Sequence, residues 1–293
     1  VRELSHSALP ETPILPSPFH ALLLQPLPCR PKAVLFDIYG TLFTSASGDI
    51  SSVDQRDSTS AVATALDLIG AGPISTKERA ALASRFHTEI KRDHRRSESA
   101  GVEFPEVDVR KIWRRAATGL AILDGPGMVE RFAVCYEMAA NPVWPMPGVA
   151  ALLSRLRDQL PMGIVSNAQF YTPLLFPGLL GRTIDEFGFQ PNLVSFSYDH
   201  RIAKPDLHLF DRPLAALADQ GIDSSKVVYI GNDMLNDVAT ATAAGCMTVL
   251  FAGDRRSLRL REHHPAVGSL APNSVVQTLK HAGTIVLGPK EKR

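Results

Sequence analysis

Four short segments of the chain carry side chains suited to covalent or charge-stabilising chemistry. Asp37 closes the run Lys32-Ala33-Val34-Leu35-Phe36 and is followed by Gly40 and Thr41. A carboxylate there can attack an electrophile and hold the product covalently, dividing one hard displacement into two easier ones. It can equally accept backbone N–H groups in a strand-to-loop turn. Gly40 permits a tight turn, Thr41 offers a hydroxyl, and the backbone N–H groups around Ile38 and Tyr39 can hold transferring oxygens. Ser166 and Asn167 end a second apolar run and are suited to anion binding or to capping a following helix. Lys204, ahead of Pro205, supplies a compact positive charge that can orient Asp37 and offset anionic charge. Asp233 and Asp237 follow the run Lys226–Gly231. They present the oxygens a hard cation takes, or those that cap a helix. On the first reading Asp37 and Asp233 bind Mg²⁺, while Asp237 orients Lys204 or reaches the metal through water.

The elements that must position these groups are legible as well. Buried strands are expected at 32–37, 161–167, 226–231 and 247–251, separated by helical periods at 149–160, 207–218 and 238–244. Strands alternating with helices predict an α/β fold: a three-layer, Rossmann-like parallel sheet whose strand ends converge on one crevice. From Thr44 to Pro145 the periods at 60–69, 76–90, 109–118 and 128–139 are all helical, without a comparable strand run. The expected organisation is a flexible Pro-rich extension (1–31), a core (32–43 and 146–287), an inserted helical cap (44–145) and a tail (288–293). An insertion from that sheet edge can cover the site and exclude water. Near the C-terminus a helix is expected around Val275 to Leu279 and a short apolar segment at 284–287.

Composition narrows the function classes. Thirty-one Lys and Arg against thirty Asp and Glu leave a formal charge of +1, unlike the large uniform field expected for nucleic-acid or anionic-membrane binding. No run of eighteen apolar residues suggests a transmembrane helix. Cys29, Cys135 and Cys246 form no CxxC pair, and Cys135 and Cys246, in apolar surroundings, read as buried thiols in a reducing compartment. Acidic Glu3 and Glu11 fit a basic targeting peptide poorly, so a cytoplasmic location is expected, an organellar one staying open because of the extension. The basic residues 91–96 and 110–115 read as solvated helix faces, Trp113 as cap packing, and His87 and His94 lack zinc-site spacing.

The segments Phe36-Asp37-Ile38-Tyr39-Gly40-Thr41-Leu42-Phe43, Ile164-Val165-Ser166-Asn167, Ala203-Lys204-Pro205-Asp206 and Ile230-Gly231-Asn232-Asp233-Met234-Leu235-Asn236-Asp237 together resemble the haloacid dehalogenase-like hydrolases. The resemblance implies that Asp37 is the nucleophile, that Ser166 bonds a substrate anion and that a helical cap follows the first motif. It also implies a Mg²⁺-dependent phosphatase acting on a small phosphorylated metabolite through an aspartyl-phosphate; monomer and homodimer both stay open. Two positions depart from that pattern. Many phosphatases of the family carry an acid/base aspartate where this chain has Tyr39, a phenol being a poor resting base. The aspartate expected directly after Gly231 is Asn232, unless Asp233 and Asp237 are matched instead. The opening Asp-x-Tyr-Gly-Thr-Leu-Phe also resembles the 2-haloacid dehalogenases, in which an aspartyl ester forms, halide leaves unprotonated and no metal is needed. A metal-independent dehalogenase and a catalytically weak binding protein are therefore the alternatives.

Overall fold

The structure is a computed structural model that describes residues 10–47, 55–72 and 74–288. The first nine residues of the expected extension, residues 48–54 and 73 of the expected cap, and residues 289–293 of the expected tail lie outside the described residues. In chain order the elements are α1 (Ser17–His20), β1 (Ala33–Phe36), β2 (Phe43–Ser45), α2 (Gln55–Leu68), α3 (Thr76–Ser99), α4 (Val109–Ala116) and α5 (Met128–Ala140). Then come β3 (Val143–Pro145), α6 (Val149–Leu156), β4 (Met162–Ser166), β5 (Phe189–Phe196), α7 (Ser197–His200), α8 (His208–Ala218) and β6 (Val227–Gly231). The chain closes with α9 (Thr240–Ala243), β7 (Met247–Phe251), β8 (Ser274–Val276) and α10 (Leu279–Leu287).

Every residue of β1, β4, β6 and β7 is buried, as expected of strands covered on both faces. These strands pair in parallel in the order β5-β4-β1-β6-β7-β8. Side chains alternate across β1: Val34 and Phe36 join the layer holding Leu152, Leu156 and Leu279, while Ala33 and Leu35 join Phe210, Leu217 and Tyr229. Phe36 registers with Ile164 of β4 on one side and Ile230 of β6 on the other. Asp37, Ser166 and the turn after Gly231 are thereby brought to one sheet edge, where the chain order reverses around β1 and open α/β sheets place their ligands.

The helical insertion has its own core. Phe86 and Trp113 stack at 3.9 Å, and Phe132 meets Trp113 edge-on at 4.8 Å, enclosing the space between α2, α3, α4 and α5. Ser75 begins α3 with a capping box closed by Glu78. The two chain passages between this bundle and the sheet pair as the antiparallel strands β2 and β3, too short to be legible beforehand.

Four elements differ from the expectations. Helix α3 runs on to Ser99, its charged second half tied down by Arg115 to Glu89 at 2.9 Å and to Asp93 at 2.7 Å. Helix α6 stops at Leu156, and Asp158 turns left-handed with φ 64°. Strand β5 was hidden because Gln190, Pro191 and Asn192 interrupt its apolar run. The helix expected around Val275 to Leu279 is corrected to a strand and then a helix. Val275 and Val276, β-branched residues suited to a pleated sheet, pair with β7, and Thr278 caps α10 by accepting from the His281 N–H. The described part of the N-terminal extension lies against the body. Leu15 and Phe19 are buried beside Met234 and Leu250, and Leu22 and Leu24 bond the backbone of Val275, covering the β8 edge.

Candidate active site

Lys204 joins the segments. Its Nζ donates to Asp37 Oδ1 at 2.7 Å, to Asp237 Oδ1 at 2.5 Å and to Tyr229 Oη at 2.8 Å, matching three partners to the three donors of an ammonium. The backbone of Asp37 stays in the sheet ladder, its N–H donating to Ile230 O at 2.9 Å, so the carboxylate is presented from the strand end. Asn167 clamps the lysine loop from both sides. Its Oδ1 accepts from Lys204 N at 2.7 Å, and its Nδ2 donates to Lys204 O at 3.3 Å. The Lys204–Pro205 peptide is cis. Tyr229 Oη donates to Val165 O at 2.7 Å, tying β6 to β4 beneath the lysine.

Asp237 Oδ2 accepts the N–H groups of Asn232 at 2.8 Å and Asp233 at 2.9 Å, which fixes the turn after β6. Burial pushes the Asp237 carboxyl up to about 6, against the pull of the Lys204 charge. Burial acts to lower the Lys204 ammonium, but the Asp237 and Asp37 carboxylates outweigh it and hold the group above its ordinary value. Tyr39 bonds Thr172 Oγ1 at 3.0 Å, and burial raises its phenol well above the usual range. The hydroxyl is thus directed to the loop after β4, and its proton is held too tightly for resting base chemistry.

The fourth motif takes the register in which Asn232, not a carboxylate, meets the loop after Asp37. Gly40 has φ +87°, and a Cβ there would come within 2.4 Å of Asn232 Nδ2. Asn232 Oδ1 accepts from Thr41 Oγ1 at 3.2 Å, and Nδ2 donates to Ser257 O at 2.7 Å. Asp233 is occupied elsewhere. Its Oδ1 accepts from Leu235 N at 2.8 Å and Asn236 N at 3.2 Å, while Oδ2 meets Arg261 Nη2 at 2.7 Å and Nε at 3.2 Å. Of the donor set expected for Mg²⁺, Asp37 pairs with Lys204 through Oδ1, while both oxygens of Asp233 accept from Arg261 or from the N–H groups of Leu235 and Asn236, so a hard cation would compete with Arg261 for Asp233. Among the described residues, no group of three or more His, Cys, Asp or Glu is placed to hold a metal.

A cavity of about 100 Å³ brings Asp37, Tyr39, Asn167, Lys204, Asp233 and Asp237 together with Asn232, Asn236, Ser257, Arg259 and Arg261. Thr41 and Ser166 are fully buried and do not line it. The Ser166 hydroxyl lies 3.5 Å from Asn167 O, facing chain rather than solute. Tyr229 escaped sequence reasoning because it sits inside the apolar run of β6. Ser257, Arg259 and Arg261 belong to a loop with no motif to mark it. That loop is fastened to the fourth motif by Arg259 N to Asn232 O at 3.0 Å and Met234 N to Arg259 O at 2.8 Å. It reaches the cap stem as well, where Asp254 accepts from Thr44 Oγ1 and from Ser257 Oγ.

The remaining sequence candidates fall into packing or surface roles. Trp113 fills the cap core, and His87 Nε2 lies 3.1 Å from Ser58 Oγ. Arg110 pairs with Asp108 at 2.9 Å and lies over the Phe170 ring at 5.1 Å. Arg201, from the loop before Lys204, pairs with Asp93 of α3, and Ala203 N donates to Phe104 O at 2.8 Å. The cap is therefore docked beside the lysine loop as well as through its stem. The three cysteines are unpaired thiols, and no described helix is long and apolar enough to cross a membrane.

Comparison with known proteins agrees with this architecture. A 2-haloacid dehalogenase from Pseudomonas syringae is 20% identical, with a TM-score of 0.53, over 87% of this chain and 97% of that one. A phosphatase of the same superfamily from Thermococcus onnurineus is 22% identical, with a TM-score of 0.49, over 89% and 100%. The L-2-haloacid dehalogenase of Xanthobacter autotrophicus is 20% identical, with a TM-score of 0.48, over 88% and 98%. At such identities the likeness is one of fold. A search of curated protein sequences finds no match. The sequence profile of haloacid dehalogenase-like hydrolases matches residues 31–245, which span β1 and the loop after Asp37, the helical insertion and the turn holding Asp237. On that match, and with a parallel core carrying a helical cap, the chain belongs to the haloacid dehalogenase-like hydrolases.

Proposed function

We propose that this hydrolase works without a metal and displaces halide from a small 2-haloacid through an ester on Asp37. The observation carrying this reading is the pairing of Asp233 with Arg261 while Asn232 faces the nucleophile loop. Phosphoryl transfer spreads charge over three oxygens and relies on cations to neutralise it. In support of the reading, Lys204 pairs with Asp37 and Asp237 and Arg261 with Asp233, so side-chain cations already supply counter-charge here. Departing halide needs no proton, which suits a site whose residue two positions after the nucleophile is the tightly protonated Tyr39. The Mg²⁺-dependent phosphatase reading is the less well supported of the two. Fold likeness does not separate them, since neighbours of both kinds share the architecture.

Asp37 attacks the halogen-bearing carbon. A C–O bond forms, the C–X bond breaks and halide leaves with its electron pair. Lys204 holds the attacking carboxylate in line and balances its charge. Water then adds to the ester carbonyl carbon, and its proton passes to Asp237, whose carboxyl is raised by burial to about 6 and is ionised at neutral pH. The second water proton passes to the departing alkoxide oxygen, so the 2-hydroxyacid leaves, the Asp37 carboxylate is restored with one oxygen from water, and Asp237 returns its proton to solvent. Parallel assays of halide release from short 2-haloacids and of phosphate release from phosphometabolites, each with chelator and with Mg²⁺, test the reading. Halide release that persists in chelator is expected. Mg²⁺-dependent phosphate release without halide release would replace this reading with the phosphatase. Ligand binding with neither activity would leave a binding protein.

A further inference from the structure

We infer that Arg261, supported by Arg259, forms the receptor for the substrate's anionic group, and that the group it receives is a short-chain carboxylate. The inference rests on the proposed displacement chemistry for the identity of that group, while both arginines lie outside the four sequence motifs. Both arginines come from the loop after β7 and line the same cavity as Asp37. The loop is fixed to the fourth-motif turn through Arg259 N to Asn232 O at 3.0 Å and Met234 N to Arg259 O at 2.8 Å. Arg259 Nη1 donates to Arg256 O at 2.6 Å, which orients that guanidinium further.

Three cations line the cavity, Lys204, Arg259 and Arg261, against three carboxylates, Asp37, Asp233 and Asp237. Lys204 is enclosed between two of those carboxylates with its side chain 2% exposed, so it is not the group an incoming anion meets first. The Arg261 side chain is 40% exposed, and its planar fork already grips one carboxylate, Asp233, through Nε and Nη2. A substrate carboxylate has the same shape and charge as the Asp233 side chain and competes with it for the guanidinium. The small cavity then keeps the carbon bearing the leaving group beside Asp37.

Titration calorimetry with propionate, the substrate class without its halogen, reads the receptor without turnover. Propionate is expected to bind about ten-fold or more tightly than neutral propionamide, and Arg261→Met to lose about ten-fold or more of that affinity. Asp233→Asn keeps an amide oxygen for the Leu235 and Asn236 N–H groups but removes the competing charge, so propionate should bind several-fold more tightly, roughly as expected for weakening one charge-assisted pair. A purely structural ion pair predicts the opposite sign for that variant. Unchanged propionate affinity in folded Arg261→Met, or weaker binding in Asp233→Asn, would overturn the inference. If Arg261→Met fails to fold, the sign of the Asp233→Asn change decides alone. Absent halide release with the binding pattern intact would remove the proposed reaction and leave the receptor. Halide release with a KM unmoved by Arg261→Met would do the reverse.

Discussion

Lys204 Nζ stands 2.7 Å from Asp37 Oδ1, joining residues 167 positions apart in a buried contact at the sheet edge. The lysine also holds Asp237 and Tyr229, so the Asp37 carboxylate, its counter-charge and the turn after β6 form one connected unit.

Removing the nucleophile tests the covalent step. Asp37→Asn is expected to lower kcat by roughly a thousand-fold or more, the scale reached when a group essential to the covalent pathway is lost. A single turnover in ¹⁸O-water should place the label in the Asp37 carboxylate, because water attacks the ester carbonyl carbon. Label appearing only in the hydroxyacid would exclude the ester.

Breaking the buried pair is expected to cost stability as well as rate. Lys204→Met leaves Asp37 and Asp237 close together without their shared cation, and truncating one partner of a buried pair costs about 3–5 kcal/mol. Urea unfolding of the variant measures it. A loss below about 1 kcal/mol would place the lysine in a solvated setting instead.

Activity should depend on the ionisation of Asp237. Burial raises this carboxyl to about 6, so the base form prevails above that pH and the protonated form below it. Accordingly, kcat for steady-state turnover at saturating 2-haloacid should rise with pH through about 6 and then level, because Asp237 acts after halide has left. A profile flat from pH 5 to about 8 would assign the proton to another group.

Tyr39→Phe should be mild by comparison. The phenol bonds Thr172 and holds its proton strongly, so its loss should cost less than about ten-fold in kcat, whereas a working general acid would cost about 10²–10⁴-fold. Steady-state kinetics on a single 2-haloacid separate the two outcomes.

Stability should also carry a signature from the cap. Glu137 on α5 is raised by burial from 4.5 to about 7, with Tyr171 and Asn141 opposing the shift. The folded state therefore binds the proton more tightly than the unfolded state. The associated stability is complete below about 4.5 and is lost as pH rises through about 7. Glu137→Gln stays neutral, so it should gain on the parent protein by up to about 3 kcal/mol between pH 5 and 8 in chemical unfolding. An equal difference at both pH values would contradict this account.

Strand periodicity and short polar turns were enough to set the α/β core, the helical insertion and the meeting of Asp37, Lys204 and Asp237, because parallel pairing aligns successive strand ends. Those features are encoded locally, in runs such as Ala33–Phe36 and Val227–Gly231. The orientation of Asp233 was not local information. Four consecutive residues, Gly231 to Met234, admit two registers, and the choice depends on Arg261, 28 positions later, and on Gly40 leaving room for Asn232. Long-range ion pairing and close backbone approach, neither of which leaves a periodic trace in sequence, decided which carboxylates are engaged and by which partners.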